Sequence, residues 1–222
     1  MIGAQRVSSS LPAALGVVVT ALTLGTIGPI AAEPASDVTA AHEIIAKMID
    51  REPALQSYRS RVHVDVHMLS FPFLSPTLDG TSYYRHPGSY EVVFDRVPFY
   101  AKAFSRLFDD VGDAAAWEKD HDVSLDGTQV VDGRSLVVLR LTKKIHSTIL
   151  DHALAFIDPA TYQLEQMEWD YTSGGKIVMI QTYRSENGYS VLASQHATIA
   201  IPHVRAVADA HYGPYETEDA AH

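Results

Sequence analysis

Cysteine is absent from this 222-residue chain, and that absence removes several possibilities together. There is no disulfide framework, no thiol nucleophile and no cysteine zinc site. A lipid-modified N-terminal cysteine is excluded as well, so the protein is not itself a lipoprotein. Cations are scarce. Lys and Arg number 17 against 27 Asp and Glu. Because Arg6 is the only charge before Glu33, residues beyond 32 carry 16 cations against 27 acids, a net charge of −11 with histidine neutral. Such a surface repels phosphate backbones and anionic bilayers, and no basic run with interleaved aromatics offsets it, which sets nucleic acid aside as a partner.

Catalytic motifs are missing too. No Gly-x-Ser-x-Gly elbow and no Gly-rich phosphate loop occurs. His42-Glu43 opens like a zinc-protease helix, but Ala46 stands where the second histidine is required. Glu168 and Asp170 share a strand face opposite Met167, Trp169 and Tyr171, which turns them to water and away from a glycosidase arrangement. His63, Asp65 and His67 lie on one strand face, spaced about 6.5–7 Å between neighbours. They could ligate zinc or copper only if the strand bends, and a solvated face is the plainer reading. The sequence therefore predicts no enzyme, no metal and no cofactor.

The long apolar run is confined to the N-terminus. Leu11–Ile30 is continuously apolar or small, and Ile30-Ala31-Ala32 supplies small residues for cleavage. This predicts a secretory signal peptide over residues 1–32, cut near Ala32, with residues 33–222 as a single domain that is periplasmic or secreted. An uncleaved anchor is the alternative, against which Gly16, Gly25, Gly28 and Pro29 count.

What remains is mostly period-2 alternation. Ser36 or Asp37 can cap one helix with apolar positions Val38, Ala41, Ile45 and Met48, stopped at Glu52-Pro53. A clean strand follows, with Tyr58, Val62, Val64, Val66 and Met68 on one face and Arg59, Arg61, His63, Asp65 and His67 on the other. Two strands at about 78–86 and 89–95 join at Arg85-His86-Pro87-Gly88. Residues 96–116 carry Phe99, Ala103, Phe104, Leu107 and Phe108 at helical spacing, which reads as a short amphipathic helix or an apolar flap. Six further strands, 121–126, 134–142, 151–157, 164–172, 176–185 and 189–201, are separated by Asp126-Gly127, Asp132-Gly133, Asp158–Thr161, Gly174-Gly175 and Glu186-Asn187-Gly188. An edge strand near Val204–Ala208 closes the list.

Several of these segments together resemble the LolA-like family of periplasmic lipoprotein carriers. They are Leu55-Gln56-Ser57-Tyr58 entering a long strand, the basic-Pro hinge Tyr84–Tyr90, the stretch Gly127–Arg134 with its following strand Leu136–Leu141, and Ala155–Thr161 through Leu164. The chain departs from the family over Asp95–Ala116, which reads as helical where the family has a hairpin with an aromatic strand. The resemblance implies a mainly β, α+β fold: a curved antiparallel sheet forming an incomplete barrel, with helices lidding an apolar cavity. It implies an extracytoplasmic carrier that binds a lipid or a lipoprotein acyl chain and moves it between membranes, served by inner- and outer-membrane protein partners. On that reading the lipid-binding residues are Val62, Val64, Val66, Met68, Tyr84, Phe94, Met167, Trp169 and Tyr171, with Phe99, Phe104 and Leu107 in a lid. The alternative role for the same fold is a partner-binding, sensing module in envelope-stress regulation.

Overall fold

The computed structural model describes residues 34–101, 111, 113–145, 147 and 149–219. The predicted signal peptide over residues 1–32 lies outside the described residues, as do Phe104 and Leu107. Helix α1 (Pro34–Ile49) is followed by strands β1 (Leu55–Met68), β2 (Thr77–Arg85) and β3 (Ser89–Phe94). A 3₁₀ turn at Phe99–Ala101 and helix α2 (Ala114–Asp120) interrupt the strands. The second run holds β4 (His121–Val131), β5 (Arg134–Lys143), β6 (Leu150–Ile157) and β7 (Leu164–Tyr171). It ends with β8 (Lys176–Glu186), β9 (Tyr189–Ile201) and β10 (Val204–Asp219).

All ten strands form one antiparallel sheet in the order β3-β2-β1-β10-β9-β8-β7-β6-β5-β4. β3 and β4 are its two edges, so the sheet is an unclosed barrel. Tight turns set the registers. Asp132 and Gly133, both at positive φ (49° and 78°), form the two-residue hairpin between β4 and β5. At the Asp158–Thr161 corner, Asp158 Oδ1 accepts the backbone N–H of Ala160 at 2.7 Å and of Thr161 at 3.3 Å. Gly80 is needed for a different reason. A Cβ there would sit 2.7 Å from the Val93 carbonyl and 3.0 Å from the Phe94 side chain.

One face of the sheet is dry. In β1, Ser60, Val62, Val64 and Val66 are buried while Arg59, Arg61, His63 and His67 are exposed, as the alternation predicts. α1 packs on that face through Ala41 and Ile45, both essentially inaccessible, although Val38 stays 41% exposed. The helix contacts edge strand β4, and Ile49 near its C-terminus approaches the β2–β3 turn at Gly88. It thus crosses the opening that the unpaired edges leave. α2 begins at Asp113, whose side chain accepts the Ala116 N–H at 3.0 Å, and it buries Trp117. His42 of α1 bonds Glu118 of α2.

Two expectations need correction. Asp126-Gly127 is not a turn; it lies inside β4 as a bulge where the register shifts between Leu125 and Gly127. The segment after Pro202 is not a short edge strand. β10 is the longest strand described and lies in the middle of the sheet, between β1 and β9. Its inward residues include Ala206, Ala208 and Ala210, all fully buried. Alanine carries too little hydrophobic contrast to mark such a strand by pattern.

Candidate ligand cavity

A partly open cavity of about 120 Å³ lies at the end of the sheet where β1 begins. Its lining comes from the C-terminal end of α1 (Met48, Ile49), the following turn (Arg51, Glu52), and Leu55 and Tyr58 of β1. Tyr84 of β2, Gly88 of the β2–β3 turn, Tyr90 of β3, Val111, Ala114 of α2, Tyr162, Leu164 of β7, Gln181 and Tyr183 of β8, and Ser190, Val191, Leu192 and Gln195 of β9 complete the wall. An open groove of about 600 Å³ runs over the same end of β1, β2 and β10 and shares Tyr58 and Tyr84 with the cavity. These two rings, which both spaces touch, stack 5.1 Å apart at 19°.

The wall is amphipathic, not purely apolar. Tyr212 Oη donates to Gln195 Oε1 at 2.7 Å, and since a phenol has one proton, Tyr90 Oη must be the donor in its 3.0 Å bond to Tyr212. Tyr215 Oη donates to the Leu192 carbonyl at 2.7 Å. Tyr183 Oη lies 2.8 Å from both the Leu164 carbonyl and Gln181 Oε1. Gln163 Nε2 bonds Ser190 Oγ, and the Ser190 N–H donates to Glu52 Oε1 at 3.1 Å. Burial raises the pKa of all these phenols, that of Tyr183 to about 12. They are neutral at physiological pH and act as hydrogen-bond donors. Nothing here forms a nucleophile–base pair.

Arg51 is the cation of this wall. Its guanidinium sits 5.5 Å from the centre of the Tyr183 ring, and Nη2 makes a long 3.4 Å contact with the Ser190 carbonyl. Its Nε is buried with no hydrogen-bond partner.

The expected binding residues divide by position. Val62, Val64, Val66 and Met167 are buried in one apolar cluster, against which Met68, Phe94, Trp169 and Tyr171 pack partly buried. Tyr84 lines the cavity and the groove. Phe99 is 85% exposed. The sequence reading passed over Arg51, Tyr90, Tyr183 and Leu192. The available signal was tyrosine itself, present eleven times against seven phenylalanines, a composition suited to a lining that must be both apolar and hydrogen-bonding.

On the opposite, wet face of β1, both ring nitrogens of His63 are engaged. Nδ1 lies 2.8 Å from Asp79 and Nε2 3.4 Å from Asp65. The Asp79 hydrogen bond, with the charge of Asp65, raises the His63 pKa. Among the described residues no group of three or more His, Cys, Asp or Glu is placed to hold a metal ion.

No family model and no curated protein matches the chain at the level of sequence. Solved structures do. A DUF1329 family protein from Desulfovibrio piger superposes with a TM-score of 0.64 at 12% identity, covering 86% of this chain and 96% of its own. A putative outer membrane lipoprotein-sorting protein domain from Vibrio parahaemolyticus gives 0.63 at 9% identity, over 84% and 95%. A LolA superfamily protein from Nitrosomonas europaea gives 0.59 at 11%, over 82% and 94%. An unclosed antiparallel sheet of ten strands with few helices, superposing on these three along nearly their whole length, is the LolA-like fold.

Proposed function

We propose that the protein is an extracytoplasmic carrier that takes a lipid or a lipoprotein acyl chain into the space between α1 and the sheet. The observation that carries this reading is the cavity itself. It is flanked by the end of α1 on one side and by strands from both halves of the sheet on the other, and it shares Tyr58 and Tyr84 with an open groove. The apolar members of its wall, Met48, Ile49, Leu55, Val111, Ala114, Leu164, Val191 and Leu192, suit methylenes, each worth about 0.8 kcal/mol when buried. About ten of them would offset the entropy of fixing one chain. Two of these, Met48 and Ile49, lie at the C-terminal end of α1. A shift of α1 would therefore enlarge the space. The fold adds support by analogy only, since one of the superposing structures is described as a lipoprotein-sorting domain. On this reading the protein is a binding protein, works outside the cytoplasm after loss of residues 1–32, and hands its cargo to membrane partners.

The test is mass spectrometry of an organic extract of the protein purified after export. Co-purifying phospholipid or acylated ligand near one equivalent is the expected result. An extract that stays empty after incubation with lipid vesicles would sink the carrier reading.

A further inference from the structure

Building on the carrier reading, we propose that the cavity selects amphiphiles with an anionic head group, a carboxylate or a phosphate. Arg51, with the hydroxyls of Tyr58 and Tyr84, would hold that group. Five arginines elsewhere on the sheet are paired, Arg59 with Glu216, Arg61 with Asp95, Arg134 with Glu165, Arg140 with Asp126, and Arg184 with Glu186, while Arg85 and Arg205, which form no ion pair among the described residues, are exposed to water. Arg51 has no carboxylate partner among the described residues, yet it is part-buried in a cavity wall. One of its five donors, Nε–H, is buried and unpartnered, and another makes only the 3.4 Å contact to Ser190. A charge withdrawn from water without a counterion is costly, and a guanidinium is shaped to take a carboxylate or phosphate through two parallel bonds.

The neighbouring negative charges do not fill that role. Glu52 also lines the cavity, but its Oε1 receives the Ser190 N–H. Glu165 is held by Arg134 at 2.9 Å. Asp50 follows α1 on the exposed side. The Arg51 charge is felt at Tyr58, Tyr84 and Tyr183, where it opposes the rise in pKa that burial causes. Tyr183 spends its hydroxyl on Leu164 and Gln181, whereas Tyr58 and Tyr84 make no hydrogen bond with any described residue and reach both the cavity and the groove. A volume of about 120 Å³ corresponds to about four waters of liquid. That holds a head group and its first methylenes, with Met48 and Ile49 next in line; a longer chain needs α1 to shift.

Calorimetric titration of the exported protein tests this with four probes. They are a medium-chain fatty acid, the alkyl phosphate and the alcohol of equal chain length, and inorganic phosphate alone. The acid and the alkyl phosphate should bind at least about tenfold more tightly than the alcohol, the effect of one or two charge-assisted bonds. Arg51→Gln should erase the difference between acid and alcohol, and Tyr84→Phe should narrow it. Equal affinity of the unmodified protein for acid and alcohol would overturn the head-group assignment and leave the carrier reading standing. Binding of none of the three amphiphiles would sink both. Inorganic phosphate as tight as the alkyl phosphate would mean an ion site with no role for the tail. The comparison of acid with alcohol needs no variant, so a poorly folded Arg51→Gln protein would not shelter the proposal.

Discussion

The two ends of the dry face are built differently. Towards the β1–β2 loop the interior is aliphatic and filled: Val64, Val66, Ala155, Met167, Met179, Ala197, Ile199, Ala206 and Ala208 are all nearly inaccessible. Towards the β2–β3 turn it is tyrosine and glutamine, with Gln163, Gln181 and Gln195 buried and each hydrogen-bonded. The open space lies at that second end. Aliphatic side chains pack by shape alone and leave no reason for a void. Phenols and amides must instead satisfy directed bonds, and a wall held by such bonds can keep a gap that the side chains do not collapse into. One end of the sheet supplies stability, and the other supplies a preformed site.

Substitutions at both ends can break that contrast. Met179→Ala at the filled end should cost about 2–5 kcal/mol, read from the urea midpoint. Leu192→Ala, beside an existing cavity, should fall at or below the bottom of that range. Equal losses would mean that the two ends are packed alike. Tyr212→Phe removes the hydroxyl between Tyr90 and Gln195 and leaves the buried Gln195 oxygen without its donor, for a cost of about 1–3 kcal/mol. A change below about 0.5 kcal/mol would show that the phenol chain is not holding the wall. Asp113→Ala, at the cap of α2, should cost about 1 kcal/mol in the same measurement, with little effect on the cavity.

The smallest expected effects are in pH. Glu186 accepts the Tyr215 N–H at 2.7 Å and Arg184 at 2.8 Å, which holds its pKa below the usual carboxylate value. Its contribution is present above the unfolded pKa and is lost as pH falls through the lower folded one. His63 runs the other way. Its pKa is raised, so its contribution is complete below about 6.5 and disappears as pH rises through the folded value. Urea midpoints across pH should show Glu186→Gln flattening the acid limb and His63→Asn flattening the limb above neutrality. Unchanged profiles would assign both groups to the solvated surface.

How far the sequence could be read follows from the same contrast. Alternation at Val62, Val64 and Val66 and the Asp132-Gly133 hairpin are local signals, and both appear where they were expected. The LolA-like fold was legible for that reason, through Leu55–Tyr58 and the strands after Gly133. β10 was not, because Ala206, Ala208 and Ala210 look neutral until their burial is seen. Neither was most of the cavity wall, which of the expected binding residues takes only Tyr84. That wall joins Arg51 to Tyr183 and Tyr90 to Tyr212, pairs separated by more than a hundred positions. Nothing in a single sequence announces that an exposed-looking arginine and a scatter of tyrosines will converge.

The central place of β10 bears on how the molecule is made. Strands β1–β3 and β4–β9 are joined into one sheet only by β10, paired to β1 on one side and β9 on the other. Of the ten described strands, β10 is made last. Until it emerges, the earlier strands can form two separate sheets at most, each with an unpaired flank open to aggregation. Closing the gap then joins segments from opposite ends of the chain, a slow step by the usual relation of rate to contact separation. Assembly of the single sheet is in effect withheld until β10 has been made.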